Sequence, residues 1–364
     1  MNEAADLFFM RKAIALAERG RGTTSPNPLV GALIVDRSGV IVGRGAHRVA
    51  GGPHAEVIAL EEAGPRARGA TLYCTLEPCS HTGRTGPCAL AVTAAGIARA
   101  VIAIEDPNPR VDGRGIAHLR ASGVEVTIGV QGERAAEQNA VFLTNVRRKR
   151  PYVILKAALS ADGKLAAARG TRTYLTGPSA NRHIHRQRAE VDAVAVGSGT
   201  LLADDPLLTP RGAYRNRPLT RVIFDRRLRT PPTARVLSTL AAGPAIIVTT
   251  EAAHADKQRE AADLTSAGAR VLAASGPDLA CVLPALLDSG VTSMVLEGGA
   301  MLHRSALDEG VVDAVNLYIA PAILGAGAVD WIGAGHIAWE SLRGGRATWL
   351  EDVVLVEGYV HGTG

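Results

Sequence analysis

Short apolar runs of roughly five to seven residues recur along the chain, and polar stretches with helical spacing lie between them. In the first part the pattern predicts an opening helix over Met1–Gly20, then strands at Leu29–Val35 and Val40–Gly45. A helix from His54, a strand at Ala70–Leu76, a helix over Cys88–Gly96 and a strand at Ala100–Ile104 follow. A short helix Ile116–Ser122, a strand Val124–Val130 and a closing helix Arg134–Arg147 complete it. Such alternation predicts a three-layer α/β domain.

The pattern restarts at Tyr152–Lys156. Further strands are expected at Ala193–Gly197, Thr220–Asp225, Ala245–Thr249, Arg270–Leu272, Ser293–Glu297, Val312–Pro321 and Asp352–Val360. Ser179–Arg188, Asp256–Ala267 and Asp278–Ser289 carry helical spacing. This is a second α/β domain with strands gathered toward its C-terminal end, which places the domains at 1–147 and 151–364. The dense basic run Arg147-Arg148-Lys149-Arg150 stands just before Pro151, where a solvated hinge is the expected reading. No repeat of fixed period and no low-complexity tract is present.

Composition narrows the class. At 364 residues, with 47% hydrophobic residues, the chain holds enough apolar surface for two cores. Four cysteines argue against a disulfide framework and fit a reducing, cytoplasmic setting. Met1–Gly20 carries Asp6, Arg11, Lys12, Glu18 and Arg19, so it reads as an amphipathic helix and not as a signal peptide. No apolar stretch reaches membrane-spanning length. A net charge of +5 suits anionic small substrates and gives no case for nucleic acid.

The chemistry concentrates in His54-Ala55-Glu56, Pro78-Cys79 and Cys88. In zinc deaminases of nucleobases, one His and two Cys hold the metal, and a neighbouring Glu that is not a ligand carries protons. Three protein ligands leave a fourth zinc position for water, whose pKa falls to about 7 in such open sites. His54, Cys79 and Cys88 are the expected ligands and Glu56 the general acid–base. Proline favours a first helical turn, so Cys79 is expected at a helix N-terminus. Eight residues separate the two cysteines, where the common signature has two. Cys74 and Cys281 lie in apolar runs and read as buried core thiols.

With both halves in view, the chain resembles the bifunctional deaminase–reductases of riboflavin biosynthesis over nearly its whole length. The resemblance rests on Asn27-Pro28-Leu29-Val30-Gly31, the His-Ala-Glu triplet, the segment Glu77–Cys88 with its long inter-cysteine loop, and Asp106-Pro107-Asn108-Pro109. In the second half it rests on Lys156–Lys164, Gly199–Thr209 and Leu296-Glu297-Gly298-Gly299. It implies a cytidine-deaminase-like domain followed by a dihydrofolate-reductase-like domain, with zinc in the first and NADPH in the second. The implied reactions are hydrolytic deamination of 2,5-diamino-6-(5-phosphoribosylamino)pyrimidin-4-one, then reduction of the ribosyl group of the resulting uracil to ribityl. Phosphorylated pyrimidines are the implied ligands, and a homo-oligomer is expected.

Site residues carry over position by position. Asn27, His47, His81, Arg84 and Asn108 match the deaminase pocket; the two asparagines offer donors and acceptors to a pyrimidine edge, and Arg84 a guanidinium fork to a phosphate. In the reductase, Ala158, Tyr174, Thr200 and Asp204 match the NADPH side, as does Gly299-Ala300-Met301-Leu302-His303-Arg304-Ser305. Lys156, Arg188, Leu208, Arg211 and Glu297 match the substrate side. Asp204 binds, orients or protonates the substrate, or else caps a turn. Arg172 and Tyr174 depart from the family's usual Ser and Trp. Two rival readings are a nucleoside or tRNA deaminase with an unrelated C-terminal module, and a non-catalytic zinc protein, whose metal would close with four protein ligands.

Overall fold

The structure is a computed structural model and describes residues 3–80, 86–171, 173–215, 217–332 and 341–361. The chain forms two compact units, Met1–Arg148 and Lys149–Gly362. Among the described residues no helix is long and apolar enough to cross a membrane.

The first unit runs α1 (Glu3–Ala17), β1 (Gly31–Val35), β2 (Ile41–Ala46), α2 (Ala55–Ala63), β3 (Thr71–Cys74), α3 (Cys88–Ala94), β4 (Arg99–Ile102), α4 (Arg114–Ala121), β5 (Glu125–Ile128), α5 (Gly132–Gln138) and α6 (Ala140–Arg148). Its sheet has the order β2-β1-β3-β4-β5, with β1 antiparallel to both neighbours and β3, β4 and β5 parallel. Strand residues alternate between two cores. Leu33, Val35, Tyr73 and Val101 pack with Phe9, Met10 and Ala13 of α1 and Ala135 of α5. Ala32, Ile34, Leu72 and Ile102 pack on the opposite face with α2, α3 and α4. The three layers match the expectation.

The second unit runs β6 (Tyr152–Ser160), β7 (Lys164–Ala166), α7 (Pro178–Glu190), β8 (Ala193–Gly197), α8 (Ser198–Asp204), β9 (Thr220–Phe224), α9 (Arg235–Ser238), β10 (Ala245–Thr250), α10 (Glu251–Asp256), α11 (Gln258–Ser266), β11 (Arg270–Ala274), α12 (Leu279–Asp288), β12 (Ser293–Gly298), α13 (Ala300–Asp308), β13 (Ala314–Ala320), β14 (Val329–Asp330), β15 (Arg343–Trp349) and β16 (Val354–Tyr359). Nine strands form one sheet in the order β11-β10-β9-β8-β12-β6-β13-β16-β15, all running the same way except β16, which is antiparallel to both its neighbours. Helices α12 and α13 cover one face. Helices α8, α9 and α11 cover the other, and α7 closes over β13 and β16.

Several expectations need correction. The helix expected over Arg134–Arg147 is two helices that break at Asn139, whose buried side chain bonds Leu29. The helix expected over Asp256–Ala267 is broken at Lys257. The expected solvated hinge is exposed only at Arg147, Arg148 and Lys149. Arg150 is buried and forms a two-pronged ion pair with Asp313, at 2.6 and 2.9 Å, so it belongs to the second core. Cys281 is exposed on α12, whose buried face is Leu279, Val282, Leu283 and Leu286.

Helix α2 packs on the β1–β2 pair and lies against the backbone of β2 with almost nothing between. A Cβ added to Gly43 would sit 2.0 Å from the Ala59 carbonyl oxygen, and one at Gly45 only 1.8 Å from that of Ala55. Ala55, Ala59 and Ala63 are the buried helix residues that meet these strands. Replacing Gly45 by Ala must therefore push α2 outward, and overpacking of this kind costs about 1–3 kcal/mol. Urea unfolding of Gly45→Ala should show a lowered midpoint for the first unit; an unchanged midpoint would mean that the contact is loose.

Candidate functional site

In the first unit, His54 is the N-cap of α2 and Cys88 the first residue of α3. Cys79 lies in the irregular segment after β3, where a helix N-terminus was expected; the residue that opens a helix is Cys88. His54 Nδ1 stands 3.1 Å from Cys88 Sγ and 3.5 Å from Cys79 Sγ, and the three ligand atoms lie within 4.8 Å of one another. Zn–N and Zn–S bonds of about 2.0 and 2.3 Å in a tetrahedron require ligand atoms roughly 3.5 Å apart. The donor set therefore fits a zinc ion with one position left open. Cys74 is buried on β3, where burial pushes its thiol well up, so it stays outside the donor set as expected.

The backbone N–H of Cys88 donates to Cys79 Sγ at 3.3 Å. The hydrogen bond between the two thiols, with His54 beside them, holds Cys79 down at about 4 against burial, while Cys88 is pushed up by the same bond and by burial. Glu56 is buried in the first turn of α2, and loss of hydration pushes its carboxyl up to about 7. A carboxyl in that range both releases and accepts a proton near neutral pH.

Polar groups around this cluster are fixed from outside it. Burial holds His47 neutral; its Nδ1–H donates to the Pro53 carbonyl at 3.0 Å, which leaves Nε2 to accept from Asn27 Nδ2 at 3.1 Å. The amide of Asn27 is thereby oriented. Asn108 Oδ1 accepts from the backbone of Arg110 at 3.1 Å, which orients the amide and leaves its NH2 group and the oxygen's second lone pair. His81 and Arg84 lie outside the described residues. Two buried residues escaped the sequence reading: Glu77, which accepts four backbone N–H bonds, and Asn139, which bonds both backbone groups of Leu29. Glu77 stood in a quoted motif, but nothing local marked it as buried.

In the second unit, polar residues meet at the carboxyl ends of parallel strands β8, β12 and β6, where open α/β sheets bind ligands. Arg188 on α7 grips both oxygens of Glu297 at 2.6 Å and donates to the Thr209 carbonyl at 3.0 Å. Burial opposes ionisation of Glu297, but Arg188 and Lys156 outweigh it and hold the carboxyl at about 2. Lys156 is lowered by burial, has no hydrogen bond among the described residues, and stands 5.7 Å from the centre of the Tyr318 ring. Leu208 is buried with a left-handed φ of 54°, next to the Thr209 that Arg188 holds, and Arg211 N–H donates to His185 Nδ1 at 3.2 Å.

Gly298 and Gly299 turn the chain from β12 into α13, with Thr200 Oγ1 3.3 Å from where a Cβ on Gly298 would be. Ala158 is half-buried on β6, and Tyr174 is 78% exposed. Asp204 ends α8 without a hydrogen bond or ion pair among the described residues; the capping role falls to Asp205, which accepts from Arg235 N–H at 2.9 Å. In the stretch from Gly299 to Ser305, two side chains have partners of their own. His303 is buried, its Nε2 bonded to the Leu296 carbonyl and its Nδ1 to Trp331, and Arg304 is held by Asp308 and the Ile332 carbonyl. Met301 is exposed and Leu302 packs on the core, while Ala300 and Ser305 are half-buried. Arg172 lies outside the described residues.

The model of the cytidine and deoxycytidylate deaminase zinc-binding region matches residues 3–104, and that of the RibD C-terminal domain matches residues 151–341. The riboflavin biosynthesis protein RibD of Aquifex aeolicus is 42% identical over 322 residues, 88% of each chain. That of Escherichia coli is 39% identical over 338 residues, 89% of each. Among solved structures, Acinetobacter baumannii RibD in its first form superposes with a TM-score of 0.85 at 35% identity, covering 98% of this chain and 99% of its own. A Thermotoga maritima diaminohydroxyphosphoribosylaminopyrimidine deaminase/5-amino-6-(5-phosphoribosylamino)uracil reductase does so at 0.82 and 32%, with the same coverage. Agreement of this extent across both units, on top of the three-donor cluster and the glycine turn, places the chain in the RibD family of riboflavin biosynthesis proteins.

Proposed function

We propose that the chain catalyses two consecutive steps of riboflavin biosynthesis. The first is zinc-dependent hydrolytic deamination of 2,5-diamino-6-(5-phosphoribosylamino)pyrimidin-4-one. The second is NADPH-dependent reduction of the ribosyl group of 5-amino-6-(5-phosphoribosylamino)uracil to ribityl. One observation carries the reading most: a three-donor cluster beside a buried Glu56, in a chain whose second unit matches the RibD C-terminal domain. Residues 1–147 are assigned to the deaminase and 151–364 to the reductase.

In the deaminase, His54, Cys79 and Cys88 hold the zinc. When bound, the metal supplies a Lewis acid that makes water acidic enough to serve as a nucleophile at neutral pH. Glu56 takes a proton from the attacking water and delivers it to the pyrimidine ring nitrogen, then takes the proton of the added hydroxyl and delivers it to the amino group, which leaves as ammonia. Burial of Glu56 opposes its ionisation and so favours holding the transferred proton, against the pull of a bound zinc's charge. Asn27, oriented by His47, and Asn108 read the ring edge; His81 is assigned to the same substrate and Arg84 to its phosphate.

In the reductase, NADPH supplies a hydride to the ring-opened sugar. The glycine turn at Gly299 and the hydroxyl of Thr200 allow close approach of a phosphate, with Ala158, Tyr174 and the start of α13 beside it. Lys156, the N–H groups of Arg188 not taken by Glu297 and Thr209, Leu208 and Arg211 bind the substrate, and Glu297 keeps Arg188 in place. Asp204, free of other partners among the described residues, orients or protonates the substrate. A cytoplasmic location and assembly of several copies complete the reading. The latter is supported by β15, exposed along its whole length on the sheet's open edge, a surface that a second copy would cover.

Replacing Glu56 by Gln should preserve zinc content and lower ammonia release by about 10²–10⁴-fold. NADPH oxidation with the deaminated substrate should stay unchanged. Unaltered ammonia release would remove Glu56 from the mechanism and favour a non-catalytic metal. Expressed alone, residues 149–364, which keep the buried Arg150–Asp313 pair, should oxidise NADPH with the deaminated substrate at the full-length rate. A soluble fragment without that activity would show that its site needs the other half of the chain.

A further inference from the structure

We propose that Glu77 is a positioning residue for substrate recognition in the deaminase, fixing the segment that carries Asn108 against the segment that carries Cys79. The proposal rests on the deaminase reading above.

Glu77 is 3% exposed and has no cation paired with it among the described residues. Its two oxygens accept four backbone hydrogen bonds. Oε2 receives the N–H of Asp106 at 3.2 Å and of Gly113 at 3.1 Å; Oε1 receives that of Gly115 at 2.8 Å and of Ile116 at 3.1 Å. These donors stand at both ends of one segment, which leaves β4, forms an irregular loop and enters α4. Its interior is tied to itself: Asn108 N–H donates to Asp106 Oδ1 at 2.8 Å, and Val111 N–H to the Asn108 carbonyl at 2.7 Å. The segment therefore moves as one piece, and Glu77 grips that piece at each end.

The other side of the clamp is the metal-ligand segment itself. Glu77 N–H donates to the Ile104 carbonyl at 3.0 Å, and Pro78 and Cys79 follow directly. A Cβ on Gly115 would lie 2.0 Å from the Pro78 carbonyl oxygen, so the two segments touch backbone to backbone. The separation between a metal ligand and the NH2 group of Asn108 is thus set by this backbone contact and by one carboxylate that holds both ends of the segment to it. Only a carboxylate meets the demand, because it accepts at both oxygens. Gln is nearly isosteric but turns one acceptor into a donor, leaving two backbone N–H groups facing an NH2.

The test uses the full-length, zinc-loaded protein. Glu77→Gln should keep its zinc and its NADPH-dependent reduction, which reports on the second unit. The KM for the diaminopyrimidine should rise about tenfold, with kcat changed less than about threefold; ~1.4 kcal/mol is the equivalent binding loss. Asn108→Ala should raise KM similarly, and the double variant should be no worse than Asn108→Ala alone. Backbone amides of residues 106–116 should also exchange about tenfold faster in Glu77→Gln. An unchanged KM, multiplying losses in the double variant, or unchanged exchange over 106–116 would each overturn the proposal. Should Glu77→Gln lose its zinc, Gly115→Ala, which lifts the same segment off Pro78, is expected to give the same KM rise, and an unchanged KM there is equally fatal. Wild-type protein that released no ammonia would sink the deaminase reading instead, and amide exchange would still decide the role of Glu77.

Discussion

Backbone contact between a helix and one strand governs the deaminase centre. Gly43 and Gly45 let α2 settle directly on β2, and Ala55 and Ala59 present the matching small face. At Gly43 and Gly45 no side chain separates β2 from the helix whose N-cap is His54 and whose first turn holds Glu56. Close-packed interiors yield little to change, so this contact fixes both groups relative to β3 and the Cys79 segment that leaves it. Three donors from three stretches of chain can then meet within 4.8 Å without any one of them being adjustable.

The two units put buried carboxylates to opposite uses. Glu56 forms no ion pair among the described residues, and loss of hydration is the main cause that raises its carboxyl to about 7, the range a proton carrier needs. Glu297 is buried as well, but the guanidinium of Arg188 and the ammonium of Lys156 hold it ionised, near 2. It is a fixed charge that keeps a cation in place. Glu77 is a third case, with no paired cation among the described residues but with four N–H donors. Partners, and not burial as such, decide whether a carboxylate moves protons, anchors a cation or ties two segments together.

Much of this was legible in the sequence because strand periodicity and ligand chemistry are local. The parallel strands are short apolar runs bounded by turns, and His54, Cys79, Cys88 and Glu56 announce themselves by residue type and spacing. What escaped depends on distant partners. Asn139 breaks a helix by reaching Leu29, over a hundred residues away, and no neighbour hints at it. Apolar composition misplaced Cys281: the run around it is apolar, but the helical period turns Leu279, Val282, Leu283 and Leu286 inward and the thiol outward. Helices α8 and α13 open in glycine-rich turns that read as loops, and β15 has no buried face to create an alternation. Arg150 looked like one more charge in a solvated run until Asp313, far along the chain, claimed it.

The central claim is an open, three-ligand zinc centre. X-ray absorption at the zinc edge on purified full-length protein addresses it most directly. The account predicts one zinc per chain, with two sulfur neighbours at about 2.3 Å, one imidazole nitrogen at about 2.0 Å and one light atom from solvent. A site closed by four protein donors, or protein that binds no zinc at all, would contradict it.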